Sequence, residues 1–124
     1  MAWSFASNQP VYVQIADRIL RKVLSGDYPP GGQLPSVRQL AVEAAVNPNT
    51  VQHAFSDLES EGIILSRGTL GRFVTEDTGI IEACRKAMAL QCALDYLQAM
   101  AQLGLSTQQA ISTIKEAEHE HSGM

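Results

Sequence analysis

The chain has 124 residues, room for one domain with a modest core or a small domain plus an appendage. Its 45% hydrophobic content suits a globular protein, and no run approaches the ~18 apolar residues of a membrane span. The net charge of −4 argues against a nonspecific nucleic-acid binder, which should be basic, but leaves room for a specific one that places a few arginines locally. Affinity would then be modest and salt-sensitive. The opening MAWSFASNQP lacks the basic start and apolar stretch of a signal peptide, so a cytoplasmic location is expected, with no membrane partner.

Residues 1–8 carry no regular pattern and read as a loose arm. From Val13 the apolar positions Ile15, Ala16, Ile19, Leu20, Val23 and Leu24 form one stripe of a helix, with Asp17, Arg18, Arg21 and Lys22 on the other side. Gly26 ends it, and DYPPGGQLP follows as a rigid loop. Ser36 suits the N-cap of a second, alanine-rich helix that turns Val37, Leu40, Ala41 and Ala44 inward. Val46 plugs the turn. Asn47 caps a third helix, and Pro48 takes its first position, where the missing N–H costs nothing. Val51, Ala54, Phe55 and Leu58 make its buried stripe, and Gly62 stops it.

Ile63 to Leu65 and Arg72 to Thr75 read as short strands joined through RGTLG, a β-hairpin whose glycine spacing departs from the commonest two-residue loops. Phe73 and Val74 alternate there, so one faces the core, and Phe73 is assigned to packing. Trp3, Phe5 and Tyr12 are expected to cover the domain. Three helices and a hairpin describe a winged helix-turn-helix.

Beyond Asp77 the pattern changes. Asp77 or Thr78 caps a long helix to about Leu103, in which Ala83, Ala87, Leu90, Leu94, Leu97 and Ala101 alternate steps of four and three, the seam of a helix that packs on another. Ile80, Ile81, Cys84, Met88 and Met100 widen that surface. Gly104 and Leu105 suit a Schellman stop. Ser106 and Gln109 form a capping box that opens a last helix with Ala110, Ile111, Ile114 and Ala117 inside and EHEHSGM fraying at its end. Cys84 and Cys92 lie eight apart, ~12 Å along a helix, beyond the ~7 Å reach of a disulfide. Both read as small buried residues, with a bridge between chains or a sensor thiol as the lesser alternatives.

The outward residues at the start of the third helix are Asn49, Thr50, Gln52 and His53. Asn and Gln can each make two hydrogen bonds to adenine, and Thr can meet a base edge, a thymine methyl or a phosphate. On an isolated helix this would be an ordinary solvated face. After a close-packed helix and ahead of a wing, it reads as an edge that enters a DNA groove. Arg38, in the first turn of the second helix, can reach a phosphate or a guanine, or else pair with Glu43 or Glu59. Arg67 and Arg72 flank the hairpin turn and either hold a wing against DNA, with the Gly68 and Gly71 amides approaching phosphates, or serve only the hairpin.

Catalysis finds little support. The histidines are His53, His119 and His121, and the last two, in the fraying tail, are two apart and so off one helix face. No cysteine cluster has metal-ligand spacing, and the glycines of PPGGQLP lack the lysine of a phosphate loop. No cofactor or metal is expected.

In their order along the chain, PVYVQIADRI, YPPGGQLPSVRQLA, VNPNTVQHAFSDLESEGII and the RG…GRFVTED wing resemble the GntR family of bacterial transcription regulators, over Pro10 to Asp77. The length and tail resemble its YtrA-type subfamily, which has a small two-helix C-terminal dimerisation region; a larger ligand-binding domain or a fused aminotransferase-like domain would not fit in the residues after Asp77. The resemblance implies a homodimeric repressor on an inverted-repeat operator, often of an ATP-binding-cassette transporter operon. It places DNA contacts on Arg38, Asn49, Thr50, Gln52 and the wing from Arg67 through Gly68 and Thr69 to Gly71. Position 53, often basic in relatives, is His here. Position 48 is Pro where some branches carry a contacting arginine. The wing has two residues between its glycines where the family usually has one.

The resulting expectation is a mainly α fold with a small β-hairpin: an N-terminal winged helix-turn-helix over residues 9–77 and a C-terminal two-helix dimerisation module over 78–121. Double-stranded DNA is the partner, met by Ser36, Arg38, Asn49, Thr50, Gln52, His53, Arg67, Gly68, Thr69, Gly71 and Arg72. Met88, Leu90, Leu94, Leu97, Ile111 and Ile114 close the homodimer. Two other classes stay open: a winged helix used as a protein–protein module, which the acidic surface suits, and a sensor with a small-molecule pocket lined by Met88, Tyr96 and Met100. The sequence names no effector.

Overall fold

The structure, a computed structural model, describes residues 2–122. The chain divides into two compact units between Cys84 and Arg85, inside one helix.

In the first unit, Pro10 fixes the entry to α1 (Val11–Ser25), which starts two residues earlier than its apolar stripe. Ile15, Ile19 and Val23, spaced by four, are its buried residues, and Gly26 closes it with φ of 90°. The preceding arm is docked and not loose. Gln14 accepts from the Ala6 N–H at 2.8 Å and donates to the carbonyls of Ala6 at 2.8 Å and Gln9 at 3.0 Å. Those bonds replace the ones a free arm makes with water, while Trp3 and Phe5 pack against the core and the Arg18 guanidinium lies 4.3 Å from the Trp3 ring centroid.

α2 (Val37–Ala44) opens with a full capping box: Ser36 Oγ accepts from the Gln39 N–H at 3.1 Å, and Gln39 Oε1 accepts from the Ser36 N–H at 2.8 Å. Leu40, Ala41 and Ala44 are buried, and Val37 is only half-buried. The helix ends on Ala45, held at φ 58°. Asn47 Oδ1 then accepts from the Asn49 N–H at 2.8 Å and starts α3 (Pro48–Ser60). α3 buries Val51, Ala54, Phe55 and Leu58 and packs on both α1 and α2.

β1 (Ile64–Ser66) and β2 (Arg72–Val74) pair antiparallel, with Ile64 opposite Val74, Leu65 opposite Phe73 and Ser66 opposite Arg72. Residues directly opposite share a face, so Ile64 and Val74 both enter the core and are fully buried. Phe73 is therefore on the outer face, only half-buried beside exposed Leu65, and its assignment to the core is corrected. The loop before α2 also joins this ribbon. Gly31 N–H donates to the Val74 carbonyl, Val74 N–H to Gly32, and Leu34 N–H to Arg72, at 3.0, 2.9 and 2.9 Å. Gln33 thus sits opposite Phe73, and β2 has a neighbour on each side.

Asp77 Oδ1 accepts from the N–H groups of Gly79 and Ile80, at 2.9 and 3.3 Å, and caps α4 (Thr78–Gln102). Ile81 is buried in the first unit's core, with Ile80 and Cys84 packed against it. Burial pushes the Cys84 thiol pKa up, and the Glu61 carboxylate adds to it, so this sulfur is a poor thiolate.

The second unit holds the rest of α4 and α5 (Thr107–Ser122). At the turn, Gly104 has φ of 81°. Its N–H donates to the Ala101 carbonyl at 2.9 Å while Leu105 N–H reaches Met100 at 3.0 Å, a Schellman motif. Ser106 and Gln109 make the capping box expected of them. Among the described residues this unit buries only Met100 and Ala110. Ile111 and Ile114, expected inside, are 48% and 49% exposed, Leu90 and Leu94 62% and 51%. Ala117 is exposed as well. Two helices cannot enclose so wide an apolar surface within one chain. Cys92 is also exposed, contrary to its expected burial. The tail does not fray at Glu118: α5 continues through Ser122. Gly123 and Met124, the end of the expected frayed segment, lie outside the described residues.

Candidate nucleic-acid interface

Asn47 and Pro48 fix where α3 begins, and the buried Val51, Ala54 and Phe55 fix which way it is rolled. With that stripe inside, Asn49, Gln52 and His53 are exposed and Thr50 is half-buried. The Asn49 backbone N–H is occupied by the Asn47 cap. The side-chain amides of Asn49 and Gln52 make no hydrogen bond among the described residues, so both keep the donor–acceptor pair that reads adenine. His53 differs. Its ring stacks flat on Tyr12 of α1, with centroids 3.6 Å apart and planes 8° from parallel. The stack sets the plane of an imidazole that remains exposed. Tyr12, expected to cover the domain, is spent on this contact.

At the start of α2, Ser36 and Arg38 line a surface hollow of about 260 Å³ together with Gln33, Phe55, Gly71 and Arg72. Helix and wing therefore present groups to one concavity. The Ser36 hydroxyl accepts in the capping box and keeps its own proton to donate. Arg38 is exposed and forms no ion pair among the described residues.

The wing turn is a short 3₁₀ segment, Gly68–Leu70, closed by Arg67 N–H on the Gly71 carbonyl at 2.8 Å and Gly71 N–H on Gly68 at 3.3 Å. Gly71 has φ of 104°, and a Cβ there would come within 3.0 Å of the Gln33 amide nitrogen, so no other residue fits without strain. The wing's two arginines have different surroundings. Arg67 is exposed, its guanidinium 4.9 Å from the Phe73 ring centroid. Arg72 is half-buried, ion-paired with Glu59 of α3 and stacked 4.9 Å from the Phe55 ring. A paired guanidinium has lost much of its attraction for a phosphate, so Arg72 ties the wing to α3, while Arg67 is exposed and forms no ion pair among the described residues.

Sequence reasoning missed Gln33, Tyr12 and Glu59 as supports of this surface. Tyr12 was visible as an aromatic at the head of α1, but its partner His53 is 41 positions on, beyond any local pattern.

A capped helix pair joined by a tight turn, with free amides at the N-terminal end of its second helix, and an antiparallel wing define a winged helix-turn-helix, the DNA-binding domain of a transcription regulator. A model of the family described as "Bacterial regulatory proteins, gntR family" matches residues 11–74. The chain belongs to the GntR family. It is 34% identical over 111 residues to the HTH-type transcriptional regulator YhcF of Bacillus subtilis, covering 90% of this chain and 92% of that one. It is 42% identical over 71 residues to the HTH-type transcriptional repressor YtrA of the same organism, covering 57% and 55%. A solved GntR family transcriptional regulator from Listeria monocytogenes superposes with a TM-score of 0.84 at 34% identity, covering 90% of this chain and 98% of that one. These likenesses place the chain in the YtrA-like branch, among DNA-binding regulators that are not enzymes.

Proposed function

We propose that this regulator is a homodimeric repressor of an inverted-repeat operator, with residues 9–77 binding DNA and residues 78–121 joining the protomers. Each α3 enters a major groove, where Asn49, Thr50, Gln52 and His53 meet base edges. Ser36 and Arg38 contact backbone, as do Arg67, Gly68, Thr69 and Gly71 at the wing. Arg72 holds the wing in place through Glu59.

The observation that carries this reading is the pair of exposed, unpartnered amides on Asn49 and Gln52, one helical turn apart on a face whose orientation the Val51–Phe55 stripe dictates. Self-association is supported by the exposed Leu90, Leu94, Ile111 and Ile114, flanked by half-buried Met88 and Leu97. An apolar face that one chain cannot bury is best covered by the same face of a second copy, and a two-fold axis then asks for a near-palindromic site. Repression is favoured by the likeness to YtrA, itself named a repressor. In the second unit the Tyr96 hydroxyl donates to the Ala110 carbonyl at 2.7 Å and Met100 is buried, roles of packing and not of a ligand pocket.

The test is fluorescence anisotropy with DNA from upstream of this protein's own gene beside scrambled DNA, over a range of salt. Selective binding that weakens steeply with salt is expected. Equal, weak binding to both, repeated with a selected pool of random duplexes, would favour a protein–protein module instead.

A further inference from the structure

Gln33 is not among the DNA contacts just proposed, yet from the loop before α2 it reaches the wing. Its backbone is opposite Phe73 across β2, on the ribbon's outer face with Leu65. From there its side-chain Nε2 donates to the Leu70 carbonyl at 2.7 Å. A carbonyl oxygen can only accept, so the amide's orientation is fixed by its partner. The bond spans 37 residues and lands on the 3₁₀ turn. Leu70 is one of the two residues between Gly68 and Gly71, and its own side chain is exposed. Gly71 leaves the room for the amide to approach.

Among the described residues, the turn's other hydrogen bonds are the local ones from Arg67 to Gly71. Without the Gln33 bond its tip would be free to pivot about the hairpin ends, carrying Gly68 and Thr69 with it.

We propose that Gln33 is a positioning residue for DNA binding: its amide clamps the wing turn at the Leu70 carbonyl and so sets where Arg67, Gly68 and Thr69 meet the duplex. The proposal rests on the DNA-binding reading above.

The variant is Gln33→Met, which keeps length and the backbone bridge but cannot donate. Two measurements are made on the full chain. The first needs no DNA: trypsin cleavage after Arg67 should be several-fold faster in Gln33→Met, while the melting temperature stays that of the unsubstituted chain. The second is anisotropy on a duplex enriched by the unsubstituted chain from a random pool. Gln33→Met should weaken binding about three- to tenfold, the worth of one hydrogen bond. Combined with Arg67→Ala, it should add little to the loss from Arg67→Ala alone, because both act through the wing.

Unchanged cleavage and unchanged affinity would overturn the proposal, as would losses that simply add. A lowered melting temperature with proportionate loss of all binding would overturn it too, by making Gln33 a general stabiliser. If the unsubstituted chain enriches no duplex, the DNA-binding reading fails, which is distinct from a Gln33→Met chain that binds its duplex normally.

Discussion

Between Ile15 and Ile81, Val51, Phe55, Ile64 and Val74 and their neighbours gather into one cluster that a single chain closes without help. Beyond Arg85 apolar side chains are as frequent along the chain, but among the described residues only Met100 and Ala110 are buried there. Polar groups do not follow that division. In the first unit Thr75, the one buried polar residue among those described, uses its hydroxyl to accept from the Asp77 N–H at 3.1 Å. In the second, the α4–α5 turn is fully capped while the faces beside it are unfinished. Local structure can thus be specified completely where tertiary burial is not. The first unit closes its own core, and the second leaves wide apolar faces exposed.

The largest effect on this contrast should come from Phe55→Ala. Phe55 is fully buried on α3 and carries the Arg72 guanidinium on its ring. Its loss should cost about 3–5 kcal/mol, a large part of the ~5–15 kcal/mol that holds a domain together. Urea unfolding of the full chain would read it. A cost under 1 kcal/mol would mean that the cluster repacks and that the first unit is looser than its burial implies.

Leu94→Asp attacks the other side. Leu94 is half exposed in one chain, so a carboxylate there hardly disturbs the isolated fold. In a seam closed by a second copy, it would be desolvated without a partner. The dimer dissociation constant should rise about a hundredfold or more, roughly 3 kcal/mol, and operator affinity should fall with it. Sedimentation at a series of concentrations decides. A variant that keeps twice the mass of one chain would locate the pairing surface elsewhere.

Asn49→Ala probes what the first unit displays and not what it buries. The side chain is exposed and its backbone N–H stays with the Asn47 cap. Selective binding should weaken by ~1–3 kcal/mol, with the urea midpoint unmoved. An unchanged ratio of operator to random-DNA affinity would remove Asn49 from base reading.

Much of this was legible in the sequence because it is local. Ser36, Asn47, Gly62, Gly104 and the Ser106–Gln109 box act within four residues of themselves, and each does what its position implies. The stripe on α3 likewise depends on one helix alone. What failed or was missed depended on pairing at a distance. Phe73 and Val74 alternate in either register, and only the pairing of Val74 with Ile64 decides which goes in. The arm looked loose because Gln14, eight residues on from Ala6, reads as just another polar helix position. Arg72 looked free for DNA until Glu59 was placed beside it. Ile111 and Ile114 had the right spacing for burial, but periodicity gives a face and not what covers it.

The smallest expected effect sharpens the local side of the argument. Ala45 sits between α2 and α3 at φ 58° and ψ 49°, the left-handed conformation that costs an L-residue roughly 1–2 kcal/mol. It is exposed, so its methyl group repays little of that by packing. The turn keeps it there because its N–H donates to the Val42 carbonyl at 3.2 Å and Val46 N–H reaches Ala41 at 3.0 Å, bringing Val46 onto the core. Ala45→Gly relieves the strain but frees the unfolded chain further, an opposing term of about 0.5–1 kcal/mol. The balance should be a gain of about 0.5 kcal/mol in urea unfolding, with DNA selectivity unchanged because the turn's hydrogen bonds remain. A loss of stability would show that the freedom of the unfolded chain outweighs the strain. A change in selectivity without one would show that the stiffness of this turn, and not only its shape, fixes how α3 is presented.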